Sequence, residues 1–182
     1  MKIRRFVRED LTAFVAYRSD PVVACYQGWE APFPTQSGER LIAEFDNTHP
    51  GTPGQWFQFA VSLRGDHQLI GDCAARPNLH DPRLVEIGFT FATAHQGRGY
   101  ATEAVRRLLE YLFTTMHQRT PAHRASATFD VRNVRSAKLL ERVGMRREGH
   151  HVQCAWYGRE WTSEYSYALL RREWVDQLAA RS

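Results

Sequence analysis

The segment His95-Gln96-Gly97-Arg98-Gly99-Tyr100-Ala101 separates a β-competent stretch from the longest helical pattern in the chain. After it, Ala101, Ala104, Val105, Leu108, Leu109, Leu112, Phe113 and Met116 recur at three- and four-residue intervals, which predicts a helix over 99–117 with one buried face. Residues 84–91 before it read as a strand. A strand that feeds an amphipathic helix through a glycine turn must give that helix a sheet face to cover, so an α/β layer is expected. Glycines at 97 and 99 let consecutive backbone N–H groups converge, and the helix N-terminus adds about half a positive charge at the same point. That combination suits a pyrophosphate. The spacing is neither the P-loop GxxxxGK(S/T) nor the dinucleotide GxGxxG, and by itself it also describes an ordinary strand-to-helix connection.

The remaining chain fits the same layer. A strand is expected over 2–7, then a helix over 9–18 carrying Leu11, Phe14 and Val15 and ended by Asp20-Pro21. Residues 28–34 are aromatic and proline-broken. A second helix runs through Leu41, Ile42 and Phe45 and stops before a loop over 47–55. Strands over 56–63, 68–75 and 84–91, joined at Arg64-Gly65-Asp66 and at 77–82, have connections short enough for an antiparallel meander. Beyond the long helix come a strand over 124–131 and a helix capped by Asn133. Its apolar stripe is Ala137, Leu140 and Val143, and Gly144 closes it at C′. Strands over 145–154 and 164–170 and a short helix with Trp174, Val175 and Leu178 complete the pattern. The order β-α-α-β-β-β-α-β-α-β-β predicts one α/β domain over 1–182, a mixed, mostly antiparallel sheet flanked by helices.

Composition narrows the function. With 43% hydrophobic and 12% aromatic residues, the chain is not disordered. It has no run of about 18 apolar residues, and its first residues lack the apolar region of a secretory signal. A cytoplasmic protein with no membrane partner is expected. Cys25, Cys73 and Cys154 are odd in number and widely spaced, which argues against a disulfide framework; with no CxxC or HExxH pattern, no metal is expected. Nothing pairs a cysteine with a nearby histidine for an acetyl-enzyme. Of 24 basic residues only Lys2 and Lys138 are lysine. The scattered arginines reflect base composition or attract an anionic cofactor, and they do not make a nucleic-acid block.

Along 84–91, Val85, Ile87, Phe89 and Phe91 share one face while Glu86, Gly88 and Thr90 share the other. Glu86 either meets solvent there or serves as a general base, since an ammonium acceptor must lose a proton before it attacks. Trp29, Trp56, Trp156 and Trp161 either pack or wall a pocket.

Glu86-Ile87-Gly88-Phe89 followed by the run from Gln96 to Ala104 resembles the core of the GNAT superfamily of acetyl-CoA-dependent N-acetyltransferases. Gln96, Gly99 and Ala101 match its Q/R-x-x-G-x-G/A motif, and residues 133–145 resemble its second motif. Gln27-Gly28-Trp29-Glu30 and residues 164–170 are similar to the RimJ/RimL branch. The resemblance implies that backbone N–H groups across Gln96, Gly97, Arg98, Gly99, Tyr100, Ala101 and Thr102 hold the pyrophosphate of acetyl-CoA, with Arg98 as a further phosphate contact. It implies that Phe89, Thr90 and Phe91, at a strand bulge, and Asn133 hold the pantetheine arm. Glu86 would be the base and Ser136 would meet the departing sulfur. Many members carry a tyrosine where this chain has Leu140, so Ser136, Tyr157 or water must protonate the thiolate here. Trp29, Glu30 and Asp130 would surround a primary amine, from a protein N-terminus or a small molecule, that attacks directly in a ternary complex. A GNAT fold that binds acyl-CoA without turnover is the alternative, and a homodimer is left open.

Overall fold

The computed structural model describes residues 1–65, 67–116, 121–157 and 160–180. Seven strands form one sheet: β1 (Lys2–Arg4), β2 (Phe57–Ser62), β3 (Leu69–Pro77), β4 (Leu84–Phe91), β5 (Arg124–Asp130), β6 (Arg146–Tyr157) and β7 (Glu160–Leu170), in the order β1-β2-β3-β4-β5-β7-β6. Every neighbouring pair is antiparallel except β4 and β5. Those two are joined through α4 (Tyr100–Thr114), and a helical crossover returns the chain in the same direction.

Strand alternation gives the sheet two apolar faces. On one, Val61, Cys73, Ala75, Val85, Ile87, Ala125 and Ala127 pack against α4 residues such as Val105, Leu109 and Phe113 and against Leu139 and Leu140 of α5 (Val134–Arg142). On the other, Ala60 and Leu69 meet Phe6, Phe14, Tyr17, Phe33, Ile42 and Phe45, which come from α1 (Leu11–Arg18), α3 (Thr35–Asn47) and the segments beside them. Each fully buried Leu or Phe of this kind stabilises the fold by roughly 1.5–3 kcal/mol. The last helix, α6 (Arg171–Ala179), follows β7.

The predicted elements are present, with three shifts. β1 ends at Arg4, whose guanidinium is held by both Asp10 oxygens at 2.6 and 2.7 Å, and a 3-10 turn over Arg8–Asp10 leads into α1. Asp20 does more than stop α1. Its side chain accepts from the Val22 N–H at 2.9 Å and caps a further short helix, α2 (Pro21–Ala24), with Pro21 at the first position where its missing N–H is harmless. The final hairpin is longer than expected. Trp156 pairs with Trp161 and Tyr157 with Glu160, and the two indoles pack edge to face at 5.4 Å, extending the ladder through residues expected to be loop. Asp66 of the expected turn and His117 at the end of the expected helix lie outside the described residues.

Candidate active site

Gly97 and Gly99 have φ of +75° and +82°, and Gly99 is the left-handed N-cap of α4. Nothing lies within 4 Å of where a Cβ would stand at either position. The backbone torsion, and not crowding, therefore requires glycine. Glu103 N–H donates to Gly99 O at 3.0 Å, the first backbone bond of the helix. Among the described residues, the N–H groups of Gly97, Arg98, Gly99, Tyr100, Ala101 and Thr102 have no protein acceptor. With 15 residues of α4 aligned behind them, they make an electropositive helix N-terminus that is exposed at Gly97, Arg98 and Gly99. The turn is held from both sides. Gln96 Nε2 donates to Phe91 O at 2.9 Å, while Gln96 Oε1 accepts from Arg135 of α5 at 2.7 Å. Thr93 donates its hydroxyl to Asp20 at 2.6 Å. Arg98 is exposed beside the turn, and Thr102 is buried under Arg142.

β4 and β5 pair only at Leu84–Arg124, Val85–Ala125 and Glu86–Ser126, although β4 continues to Phe91 and β5 to Asp130. Beyond Glu86 the two strands part. The β4 backbone from Ile87 to Phe91, still paired with β3 on its other edge, faces the resulting wedge without a ladder partner. The expected bulge at Phe89, Thr90 and Phe91 is absent: the β3–β4 register runs unbroken from Val85 to Phe91. Loss of pairing with β5, and not a bulge, opens this edge of β4, where the Phe91 carbonyl is taken by Gln96. Asn133 caps α5 by accepting from Ser136 N–H at 3.1 Å, and both side chains are half-buried at the start of the helix that follows β5. Leu140 is fully buried in the core, so this position packs the fold and meets no ligand.

The sheet face opposite α4 carries three cross-strand rows. The first is Arg76 and Glu86, with Trp56, just ahead of β2, against Arg76; the second is Gln58, Ala74 and Gly88; the third is Ala60, Asp72 and Thr90. In the first row Arg76 Nη2 donates to Glu86 Oε2, and the guanidinium lies 4.8 Å from the Trp56 ring centre. These two charged side chains remain 42% and 33% exposed. In the second row, a Cβ on Gly88 would meet only the Ala74 Cβ at 3.8 Å, so this part of the floor is open. The third row is covered. Tyr17 donates to the buried Asp72, and Arg18 Nη2 lies 3.9 Å from the same carboxylate. Burial pushes the Asp72 carboxyl up, against the opposing pull of Arg18 and Tyr17; burial and the Asp72 charge push the Tyr17 phenol well up. The buried Arg18 guanidinium sits on three rings, 4.3 Å from Phe14, 4.0 Å from Trp29 and 5.3 Å from Phe33.

Of the three expected acceptor residues, Trp29 and Asp130 are bonded within the protein and Glu30 is exposed. Trp29 is half-buried, donates Nε1–H to Arg18 O at 3.0 Å, and covers Arg18 instead of standing as a free pocket wall. Glu30 is exposed beyond it. The Asp130 carboxylate accepts from the Arg132 backbone N–H at 2.8 Å, Nε at 2.9 Å and Nη2 at 2.6 Å, which hold it below the usual carboxylate range. Arg132 also binds Glu160 at 2.6 Å. Asp130 is therefore consumed in shaping the turn into α5. Tyr157 shares its hydroxyl between Ala24 O at 3.3 Å and Trp29 O at 3.4 Å, pinning the Trp29 loop, and burial raises its phenol.

Sequence reasoning missed Arg76 and the Arg18–Asp72–Tyr17 set. Their partners lie on other strands or helices, and only the strand register reveals them. A cavity of about 890 Å³ bounded by β1, β2 and the outer side of α4 lies away from this site; its Arg5 is bonded to the carbonyls of Phe45 and Thr48. Among the described residues no cluster of three or more His, Cys, Asp or Glu forms a metal site. Cys73 is buried with its thiol pushed well up, while Cys25 and Cys154 are exposed. Among the described residues no helix is long and apolar enough to cross a membrane.

Residues 1–146 match the family model of the acetyltransferase (GNAT) domain. The chain is 34% identical to the uncharacterized N-acetyltransferase YnaD of Bacillus subtilis over 94% of each chain. It is 28% identical to the [ribosomal protein uS5]-alanine N-acetyltransferase of Escherichia coli, covering 83% of this chain and 71% of that protein. Among solved structures, a GNAT-family acetyltransferase from Bacillus anthracis superposes with a TM-score of 0.79 at 31% identity, over 93% of this chain and 94% of that one. The spermidine N-acetyltransferase of Vibrio cholerae in complex with CoA and spermine shares the fold at a TM-score of 0.78 and 22% identity, over 96% and 97% of the two chains. With the glycine turn, the parted strands and the capped α5 all in place, this chain belongs to the GNAT family and is an acetyltransferase.

Proposed function

We propose that the protein transfers an acetyl group from acetyl-CoA to a primary amine, of a small molecule or a protein N-terminus, by direct attack in a ternary complex. The observation that carries this reading is the run of unbonded N–H groups from Gly97 to Thr102 opening beside the unpaired edge of β4. The residues suit the donor. The turn offers several convergent N–H donors and a helix N-terminus to a pyrophosphate, with Arg98 and Arg135 at its rim. The β4 edge at Phe89, Thr90 and Phe91, where the Phe91 carbonyl already accepts from Gln96, and the side chain of Asn133 would line the pantetheine arm.

Acetyl-CoA supplies an acyl group activated as a thioester. The chain's own groups do the rest. Glu86, on the open floor, takes the proton that an ammonium acceptor must lose before its nitrogen forms the new C–N bond. As the C–S bond breaks, the second proton, which the nitrogen gives up on becoming an amide, passes through Ser136 or water to the departing thiolate. Backbone N–H groups already in place where charge develops are worth roughly 3–4 kcal/mol to such a transition state. Similarity to the uS5-alanine N-acetyltransferase supports a place in the RimJ/RimL branch, and a cytoplasmic setting suits the reaction.

Calorimetry with acetyl-CoA and free-thiol release over a panel of amines test this together. Glu86→Gln is expected to lower kcat by about a hundredfold or more while leaving acetyl-CoA affinity within about twofold, because the amide keeps the shape and loses the basicity. Wild-type turnover in that variant would remove Glu86 as the base. Donor binding without thiol release from any amine would make the protein a non-catalytic acyl-CoA-binding module.

A further inference from the structure

We propose that Arg76 selects the acceptor: it binds a carboxylate carried close to the reacting amine, so the preferred substrate is a small amino acid and not a polyamine. This rests on the amine-acetylation reading above and adds the substrate class. Arg76 and Glu86 are directly opposed across β3 and β4, and both remain substantially exposed. Beside them Gly88 adds no side chain to the floor, and a Cβ there would meet only the Ala74 Cβ at 3.8 Å. A zwitterion whose ammonium meets Glu86 brings its carboxylate, attached to the same or a nearby carbon, to the neighbouring guanidinium. Two opposite charges on adjacent strands thus complement two opposite charges on one small ligand.

The guanidinium is equipped for a second partner. Only Nη2 is bonded to Glu86, and a guanidinium carries five N–H donors in a planar fork that matches a carboxylate. The Trp56 ring against one face orients that plane and leaves an edge free. Half-exposed ion pairs are weak, so this one opens readily to exchange partners.

Most carboxylates around the floor are already matched. Glu86 is matched by Arg76, Asp130 and Glu160 by Arg132, and Asp72 is buried against Arg18 and Tyr17, while Glu30 is exposed and Glu164 meets the Cys154 thiol. A second ammonium on the acceptor would approach Arg76 and meet repulsion.

The test uses matched pairs of free amino acids and their primary amides, read by thiol release and by calorimetric binding to the enzyme. Wild-type enzyme is expected to favour the acid over its amide by at least about tenfold in kcat/KM, chiefly through KM, and to bind the acid more tightly. Arg76→Gln should bring the acid-to-amide ratio near one through loss on the acid side, and Arg76→Lys should restore part of it. Acetyl-CoA affinity should not follow the ratio. Equal use of acids and amides by wild type, or an equal loss for both in Arg76→Gln, would overturn the proposal; the second result would make Arg76 only a positioning residue for Glu86. Polyamines outperforming amino acids would overturn it as well, with the acetyltransfer reading intact. Failure of every amine to release thiol would instead overturn that reading, and this proposal with it.

Discussion

Gly99 disfavours a side chain for one reason only, its backbone torsion, and that makes its variants informative. With φ at +82° and empty space around the missing Cβ, alanine meets only torsional strain, of about 1 kcal/mol. Gly99→Ala should fold and bind acetyl-CoA somewhat more weakly. Gly99→Asp adds a carboxylate among N–H groups that would otherwise face phosphate, and it is expected to abolish binding while circular dichroism stays native. Calorimetry on the two variants checks this, and wild-type affinity in the Asp variant would dismiss the cradle. The glycine turn, the Asn133 cap and Gly144 at the end of α5 were legible in the sequence because each acts on backbone within a few residues of itself. Trp29 and Asp130 were legible only as residue types. Their occupation by Arg18 and Arg132 depends on side-chain partners and geometry that residue type alone does not fix.

At the scale of elements, the turn from β5 to α5 carries a pH dependence. Asp130 is held below its ordinary 3.8 chiefly by its hydrogen bonds to the Arg132 side chain. A carboxyl lowered on folding contributes stability that is complete above the unfolded value and disappears as pH falls below it through the folded value. Asp130→Asn should therefore be less stable than wild type near pH 7, with the gap closing as pH drops below about 4. Urea unfolding at a series of pH values measures it, and a gap that stays constant with pH would refute the assignment. Asp72 works in the opposite sense, since burial raises it: its contribution is greatest at low pH and declines as pH rises through its folded value. The long helix and the meander followed directly from apolar periodicity. The Trp156–Trp161 extension and the Arg76–Glu86 row did not, because cross-strand register is set by the whole sheet and leaves no local signature.

Across the molecule, neighbouring residues serve opposite cores. Ala60 faces α1 and α3 while Val61 faces α4, so β2 and β3 belong to both apolar clusters at once. A loss on either side should therefore be felt by the whole sheet. Phe14→Ala and Leu140→Ala, one in each cluster, are expected to destabilise by about 3–5 and 2–5 kcal/mol, each shifting a single transition that tryptophan fluorescence and far-ultraviolet dichroism report at the same midpoint. Two resolved transitions would show that the faces unfold separately. The parting of β4 from β5 after Glu86 has a consequence of another kind. On the wedge side recognition is built mainly from main-chain atoms, which nearly every residue type supplies alike; on the opposite floor it is built from side chains, which can be exchanged one at a time. Under the proposed function, donor and acceptor are recognised by two independently editable parts, and a library at Trp56, Gln58, Arg76 and Gly88 is expected to re-select the amine while the acetyl source stays fixed.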